Sequence, residues 1–411
     1  MASNEAKQRN PQADHSIPGD SGLLKDKSKN PESEPSLKHG AVVQVLRMLL
    51  LSAWFNGCCV IIVVTQLVGS PLYFINKDYY YAYMALTKRS FGIVISAITQ
   101  WACPTPVRVS GDKSVRGQLQ ITKDGRLRTD FPERIVLIAN HQVYTDWLYL
   151  WWVAYTGRMH GHIYIILKES LKYIPIVGQG MMFYGFIFMA RKWLSDKPRL
   201  QHRLEKLKAK HSGPLSGSQT LDPMWLLIFP EGTNLSENTR RISDAYGKKQ
   251  GLTPFKHQIL PRSTGLFFCL QQLRGTVDWM YDCTIGYEGP PKGQFPDKYF
   301  TLRSTYLQGR PPKSVNMHWR RFAISDIPLD DQKEFEIWLT ERWAEKDQLL
   351  EHFYETGRFP TDDDGGEDIS ENPAKSGYIE TEVKLGHWFE LSQVFVVLGI
   401  LALVARQIFK F

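Results

Sequence analysis

"RIVLIANHQVYTDWLYLWW", residues 134–152, is the stretch that decides the fold class of this chain. It starts as a short apolar run, which predicts a buried strand, and continues after Asn140 as an aromatic segment of helical length. His141 and Asp146 stand at the break, five positions apart. On one straight helix they would point roughly 140° away from each other. They can therefore meet only if His141 lies in the turn and Asp146 in the first turns of the helix.

Two further apolar runs resemble the start of this stretch. "HIYIIL" (162–167) and "WLLIFPEGT" (225–233) are short and predict strands, and the charged residues 197–211 between them predict a helix. Residues 330–357 predict a long helix with one apolar face that packs. Alternating strands and helices favour an α/β fold, a layered mixed sheet with flanking helices.

Long uncharged runs precede this domain. Residues 48–75 carry no charge, and about 20 apolar residues are enough for a membrane-spanning helix. Residues 90–107 also carry no charge but contain Pro104 and Pro106, so they predict either a second span or half of a hairpin. The alternative for both runs is a core helix of a soluble protein. We expect an N-terminal membrane helix pair to anchor the sheet.

The composition divides the chain into five parts. These are a polar, disordered tail (1–38), the N-terminal membrane segments (39–110), a folded domain (111–358), an acidic linker (359–376) and a C-terminal apolar helix (377–411). The apolar run in the last part, residues 391–405, is short for a span. It predicts equally a tail helix in the membrane and one that packs on the domain or lies at the interface.

The overall composition excludes some classes of protein. Lys and Arg exceed Asp and Glu by 50 to 42, but the basic residues are dispersed and no nucleic-acid motif accompanies them, so we expect no nucleic-acid partner. The charge and the 12 Trp, 18 Tyr and 21 Phe suit an anionic membrane interface. The five cysteines form no CxxC pair and no zinc spacing, which predicts reduced thiols and no metal site.

The histidine and the aspartate at the break have a chemical use. An aspartate that accepts the Nδ1 proton of a histidine fixes the tautomer and leaves Nε2 as a general base. No serine or cysteine adjoins His141 and Asp146, so the nucleophile would be a hydroxyl of the substrate. The alternative is a structural histidine beside a helix-capping aspartate.

Three other stretches carry candidate site residues. In "LLIFPEGTN" a strand ends at Glu231, Gly232 and Thr233, which offers a carboxylate and backbone N–H groups, although a plain turn explains it equally. In "YGFIFMARKW", Arg191 emerges from an uncharged run and can bind a phosphate, or else can extend toward a membrane surface. "ILPRSTG", with Pro261 and Arg262, says little by itself.

Taken together, these stretches resemble the four sequence blocks of the glycerolipid acyltransferases, the group that contains the 1-acylglycerol-3-phosphate acyltransferases. His141 and Asp146 match the first block, residues 185–191 the second, "FPEGT" (229–233) the third and Pro261 the fourth. "ILKESLKYIPIVGQGM" and "GLTPFKHQILPRSTGL" are similar to the eukaryotic branch of lysocardiolipin and lysophosphatidylinositol acyltransferases. The resemblance covers roughly residues 40–360.

The resemblance implies an enzyme whose catalytic domain is residues 111–358. His141, oriented by Asp146, would deprotonate a lysophospholipid hydroxyl, which attacks the thioester of acyl-CoA. Acyl-CoA would be a co-substrate, and no cofactor is expected. The implied substrate-binding residues are Asn140, Lys168, Gly185, Arg191, Glu231, Gly232, Thr233, Pro261 and Arg262.

The acceptor and the location follow from the same resemblance. We expect an anionic acceptor such as lysophosphatidic acid or lysophosphatidylinositol. The alternatives are glycerol-3-phosphate, monolysocardiolipin, and a non-catalytic protein that binds lipid. We expect the endoplasmic reticulum membrane, with the catalytic domain on the cytosolic face. The aromatic residues after Asp146 would then lie beside the lipid acceptor.

Overall fold

The computed structural model describes residues 39–212, 219–291, 293–361 and 378–408. Eight strands form one mixed sheet in the order β12-β1-β11-β10-β4-β9-β5-β6, and β2–β3 and β7–β8 form two separate pairs. The strands are β1 (Pro106–Gly111), β2 (Leu119–Ile121), β3 (Leu127–Thr129), β4 (Arg134–Ala139), β5 (Ile163–Lys168), β6 (Ile187–Met189), β7 (Lys210–Ser212), β8 (Gln219–Leu221), β9 (Met224–Ile228), β10 (Trp279–Glu288), β11 (Ser314–Ala323) and β12 (Ile379–Glu382).

Helices cover both faces of the sheet and precede it. They are α1 (Ala41–Gly69), α2 (Leu72–Ile75), α3 (Lys77–Ala102), α4 (Asp146–Thr156), α5 (Val177–Phe183), α6 (Trp193–Leu207), α7 (Glu237–Lys249), α8 (Ser263–Leu273), α9 (Pro296–Tyr299), α10 (Gln332–Thr356) and α11 (Val396–Ile408). The predicted strands at 134–140, 162–167 and 225–233 correspond to β4, β5 and β9, and α10 is the predicted long helix, so the α/β fold is confirmed.

The direction of the strands decides where a ligand can bind. β10, β4, β9, β5 and β6 are parallel neighbours, whereas β11 pairs with β10 in the antiparallel direction. The carboxyl ends of these five parallel strands therefore lie at one edge of the sheet. In open α/β sheets that edge is the usual ligand crevice.

The N-terminal helices differ from the expected membrane pair. The stretch Ala41–Ile75, which comprises α1 and α2, is long and apolar enough to cross a membrane, and only 17% of its most apolar part is buried. The second uncharged run, 90–107, is instead the end of α3 and the start of β1, and most of its apolar side chains are buried in protein, although Trp101 is exposed. Gly92 permits this packing, because a Cβ there would lie 2.8 Å from the Trp151 indole nitrogen. The described residues therefore contain one such N-terminal helix and no membrane helix pair.

The aromatic run that follows Asp146 is also protein core. Trp151 and Trp152 of α4 are fully buried, and the Phe91 ring of α3 packs 5.2 Å from the Trp151 ring. The expectation that these aromatic residues lie beside a lipid is wrong for both tryptophans. The reason is that α4 lies between the sheet and α3, where all sides of the helix meet apolar neighbours.

The C-terminal apolar run forms two short helices. A 3-10 helix, Trp388–Val394, and α11 meet at a bend of 56°, and together they are long and apolar enough to form one broken span. The predicted tail at 1–38 and residues 362–376 of the predicted acidic linker lie outside the described residues.

A buried cluster of charges joins α10 to the two central strands. Asp282 of β10 is fully buried, and its carboxylate oxygens lie 2.8 Å from Arg320 Nε of β11 and 2.6 Å from Lys346 Nζ of α10. The Lys346 ammonium also donates to the Cys283 carbonyl oxygen at 2.7 Å. These charged residues interrupt the apolar pattern of β10 and β11, which explains why neither strand was predicted.

We predict that Asp282→Ala destabilises the protein by about 3–5 kcal/mol, because it leaves two buried cations without their shared carboxylate. Thermal and chemical denaturation of the detergent-solubilised protein measure this change. The matched control is Asp330→Ala, which removes the exposed ion pair with Arg274 and should have little effect. Equal stability of the two variants would contradict a structural role for the cluster.

Candidate active site

A histidine–aspartate pair lies at the carboxyl edge of the parallel strands. His141 lies in the turn after β4, and Asp146 is the first residue of α4. His141 Nδ1 lies 2.8 Å from Asp146 Oδ2. The two side chains therefore meet as the spacing predicts, whereas the catalytic role of the pair remains a prediction.

The Asp146 carboxylate is fully buried and held by two further donors. The backbone N–H of Val143 donates to Oδ2 at 3.0 Å, and the Tyr287 hydroxyl donates to Oδ1 at 2.5 Å. Asp146 therefore stabilises the turn before α4 and orients His141 with the same carboxylate. The structural and the functional interpretations of this residue do not exclude each other.

The His141 ring is fixed from the opposite face. It stacks on the Phe229 ring with centroids 4.3 Å apart, and the His141 carbonyl accepts a hydrogen bond of 2.7 Å from the Leu235 N–H. The side chain keeps 18% of its surface exposed, and Nε2 has no hydrogen-bond partner within the described ranges. A ring with Nδ1–H on a carboxylate and a free Nε2 can act as a general base.

Asn140 is placed to hold the turn. Its side-chain amide donates to the Ile285 carbonyl at 3.0 Å and accepts from the Ile285 N–H at 2.7 Å. This pair of bonds connects β4 to β10 just after β4 ends. Because Asn140 is fully buried, the structure gives it no surface that a substrate could touch.

Glu231 lies beside the turn that contains His141 and is 1% exposed. Its Oε1 accepts a hydrogen bond of 3.4 Å from the Trp343 indole of α10, and its Oε2 has no hydrogen-bond partner among the residues that the structure describes. Burial raises the pKa of Glu231 to about 8, although the Trp343 indole, the His141 backbone N–H and the Lys346 ammonium act in the opposite direction. Glu231 is therefore neutral at most physiological pH values. Its carboxyl group lies beside the backbone of His141.

Two exposed arginines lie beside the turn that Glu231 begins. Gly232 has a positive φ of 72°, and its carbonyl accepts a hydrogen bond of 2.6 Å from Arg191 Nη2. A Cβ at Gly232 would lie 3.6 Å from Arg262 Nε, and the Arg262 N–H donates to the Pro230 carbonyl at 2.8 Å. Neither guanidinium has a carboxylate partner in the described part of the chain, so both can bind an anion.

The other predicted residues lie at different distances from the pair. Lys168 ends β5 at the same edge and is exposed, while Thr233 and Pro261 are half-buried next to Gly232 and Arg262. Gly185 precedes β6, so the structure places it at the amino edge, away from the pair, with Arg191 at the carboxyl end of the same strand. Five residues, three of which form β6, separate two residues that the sequence block joins.

Three residues of the site were not predicted: Phe229, Tyr287 and Trp343. Phe229 stands within a quoted motif, but nothing in the sequence connects Tyr287 or Trp343 to His141. Both come from elements more than 100 residues away. Groups of three or more His, Cys, Asp or Glu side chains that could hold a metal ion are not found in the described ranges.

We predict that Glu231→Gln gains stability relative to the wild type as the pH rises. The folded protein keeps the Glu231 proton up to about pH 8, whereas an ordinary glutamate releases it near 4.5. The free energy of unfolding of the wild type therefore falls by on the order of a few kcal/mol as the pH rises from about 4.5 to about 8. The glutamine variant has no carboxyl group at this position, so it does not show this loss. Melting temperatures between pH 5 and pH 9 measure the difference, with the exposed Glu336→Gln as the control. A difference that stays constant with pH would show that Glu231 is ionised in the fold.

Comparison with known proteins adds the family. A model of the acyltransferase family matches residues 112–287, and a model of the acyltransferase C-terminus matches residues 305–381. A 2-acyl-1-lysophosphatidylinositol acyltransferase of Saccharomyces cerevisiae is 38% identical over 78% of this chain and 87% of its own length. An uncharacterized acyltransferase of Schizosaccharomyces pombe is 38% identical over 82% of this chain and 90% of its own length.

A more distant match covers about half of the chain. Lysocardiolipin acyltransferase 1 of Gallus gallus is 34% identical over 55% of this chain and 55% of its own length. The first family model includes the His141–Asp146 turn and ends at Tyr287, and the second includes Trp343. The chain therefore belongs to the glycerolipid acyltransferase family, and it is similar to the branch of lysophosphatidylinositol and lysocardiolipin acyltransferases.

Proposed function

We propose that this chain is a membrane-bound lysophospholipid acyltransferase, which moves an acyl chain from acyl-CoA to the free hydroxyl of a lysophospholipid. The observation that carries the proposal is the His141–Asp146 contact of 2.8 Å, at an edge where two arginines have no carboxylate partner among the described residues. A general base beside an anion site is what transfer to a phosphate-bearing alcohol requires.

The transfer uses the described residues as follows. His141 Nε2 takes the proton of the acceptor hydroxyl, and the hydroxyl oxygen attacks the carbonyl carbon of the thioester. The carbon–sulfur bond then breaks, and the coenzyme A thiolate receives the proton from the imidazolium. Asp146 stabilises the imidazolium between these two proton transfers, and Tyr287 keeps its carboxylate in place.

The charges at the site favour an anionic acceptor. Arg191 and Arg262 lie on either side of Gly232, and Lys168 ends a strand of the same edge. One guanidinium group can bind two phosphate oxygens, which would fix the position of the acceptor relative to His141. We therefore favour lysophosphatidylinositol or lysophosphatidic acid. The yeast relative, named for a 2-acyl-1-lysophosphatidylinositol substrate, supports the first. Glycerol-3-phosphate and monolysocardiolipin are the alternatives.

The location proposed is the membrane of the endoplasmic reticulum. The apolar stretch Ala41–Ile75 supports membrane attachment, since most of it is not covered by protein, and Phe74 and Ile75 at its end are 89% and 77% exposed. The α/β domain would face the cytosol, where acyl-CoA is available.

We predict that the wild type forms product with one anionic lyso-acceptor and that His141→Ala forms almost none. The purified protein in detergent would receive labelled oleoyl-CoA or stearoyl-CoA together with lysophosphatidylinositol, lysophosphatidic acid, monolysocardiolipin, lysophosphatidylglycerol or lysophosphatidylcholine. Removing the base should lower turnover by at least about 10²–10⁴-fold.

The control for this experiment is the melting temperature. It must be the same in His141→Ala and in the wild type, so that lost turnover cannot be attributed to unfolding. Unchanged turnover in a folded His141→Ala protein would refute the mechanism. Absence of product with every acceptor in the wild type would favour a lipid-binding protein without this activity.

We predict that Tyr287→Phe lowers kcat/KM by about tenfold or more and moves the acid limb of its pH profile upward. The lost hydrogen bond to a buried carboxylate is worth about 1.5–3 kcal/mol, and an Asp146 with one donor fewer holds the imidazolium proton more tightly. Kinetics from pH 5 to pH 9 measure both effects.

The matched control is Tyr281→Phe, which loses a hydroxyl contact of 2.7 Å to Gln118 at the other end of the same strand. This variant should keep the wild-type pH profile. Equal profiles in Tyr281→Phe and Tyr287→Phe would show that Tyr287 has no specific role in orienting the pair.

A further inference from the structure

A cavity lined by basic residues lies at the amino edge of the same sheet. Its volume is about 60 Å³, far more than the roughly 10–15 Å³ that one water needs. Arg134 is the first residue of β4 and Met224 the first of β9, and both line it. The candidate active site lies at the opposite ends of these strands, about 17 Å away at roughly 3.3 Å per residue. The cavity is therefore a separate feature of the molecule.

The charges in this cavity are not balanced. Its lining contains four basic residues, Lys88, Arg134, Arg203 and Lys206, and one acidic residue, Asp222. Arg134 is a structural cation, because its guanidinium donates to the carbonyls of Thr276 (2.9 Å) and Leu207 (3.0 Å) and to that of Asp222. The other three basic residues have no ion pair with a carboxylate within the described residues.

Lys88 is the feature that points to a ligand. It is 2% exposed, and its ammonium has one hydrogen bond, to the Ile163 carbonyl at 3.0 Å, and the face of the Tyr164 ring at 3.6 Å. A buried ammonium without a counter-charge is costly, and burial accordingly lowers the pKa of Lys88 well below its usual value, so that a bound anion would be needed to keep this amine charged. Residues 213–218, near in sequence to the cavity, contain no Asp or Glu that could supply the charge.

We propose that this cavity binds a phosphate group, held by Lys88 from the buried side and by Arg203 and Lys206 of α6 from the open side. A phosphate carries the negative charge that the lining lacks, and ammonium and guanidinium groups are its usual protein partners. The group has two possible sources, a free phosphate compound and the headgroup of a membrane lipid. The second source is reasonable because Lys88 belongs to α3, which packs on α1. The proposal does not depend on the proposed acyl transfer.

The test separates this cavity from the candidate active site. The full chain in detergent carries Arg191→Gln and Arg262→Gln, which remove the two arginines of the other edge, and inorganic phosphate is titrated by calorimetry and by thermal shift. Binding should survive in this background. Adding Arg203→Gln and Lys206→Gln should weaken it by about tenfold or more, since two charge-assisted contacts are lost.

The control substitution is Lys208→Gln, which changes the same charge at the end of α6 but does not line the cavity. It should leave phosphate binding within about twofold of its background. Glutamine is a good helix former, so these variants should fold, whereas Lys88→Met serves as a second test only if it keeps a cooperative melt. No phosphate binding in the background protein, or equal binding with and without Arg203 and Lys206, would overturn the proposal.

Nanodiscs distinguish the two sources. Discs of phosphatidylcholine alone are compared with discs that also contain phosphatidic acid, a lipid with an exposed phosphate monoester. Stabilisation by phosphatidic acid that requires Arg203 and Lys206 would support a lipid headgroup as the ligand. A response to inorganic phosphate without a response to phosphatidic acid would support a soluble phosphate compound.

Discussion

The two hydrogen bonds between Asn140 and the Ile285 backbone fix the point on which the candidate site depends. They hold the end of β4 against β10, although β4 itself has ended one residue earlier. The chain must therefore turn at His141, and α4 must start at Asp146. Since β10 carries Tyr287 to the same edge, one local constraint brings the base, its carboxylate and the donor to that carboxylate together.

Helix α10 also supports the turn that contains His141. Trp343 contacts Glu231, which lies under the His141 turn, and Lys346, one helical turn later, joins Asp282 of β10. The carboxyl of Glu231 is neutral near pH 7 because its burial is not matched by a full counter-charge. The helix thus connects Glu231 with Asp282, which belong to different strands or turns of the sheet, and it lies within residues 305–381, which a second family model matches.

The parallel direction of five strands gives the sheet two different edges. The carboxyl edge collects His141, Glu231, Arg191 and Lys168, and the amino edge collects Lys88 with the cations of α6. Both edges are cationic, but only the first contains a histidine paired with a carboxylate. Gly185 and Arg191, six residues apart in one sequence block, belong to opposite edges for the same reason. A single sequence block can therefore contribute residues to two separate places in the fold.

The sequence by itself determined the elements whose pattern is local. An apolar run before a turn predicted β4, β5 and β9, an apolar face predicted α10, and the spacing of His141 and Asp146 required the turn that the structure contains. Only the tertiary structure decided the rest. β10 and β11 contain buried charges that form ion pairs across three elements, and the end of α3 is apolar because it packs on α4 and not because it meets lipid. Burial depends on which element lies opposite, and no single segment of sequence carries that information.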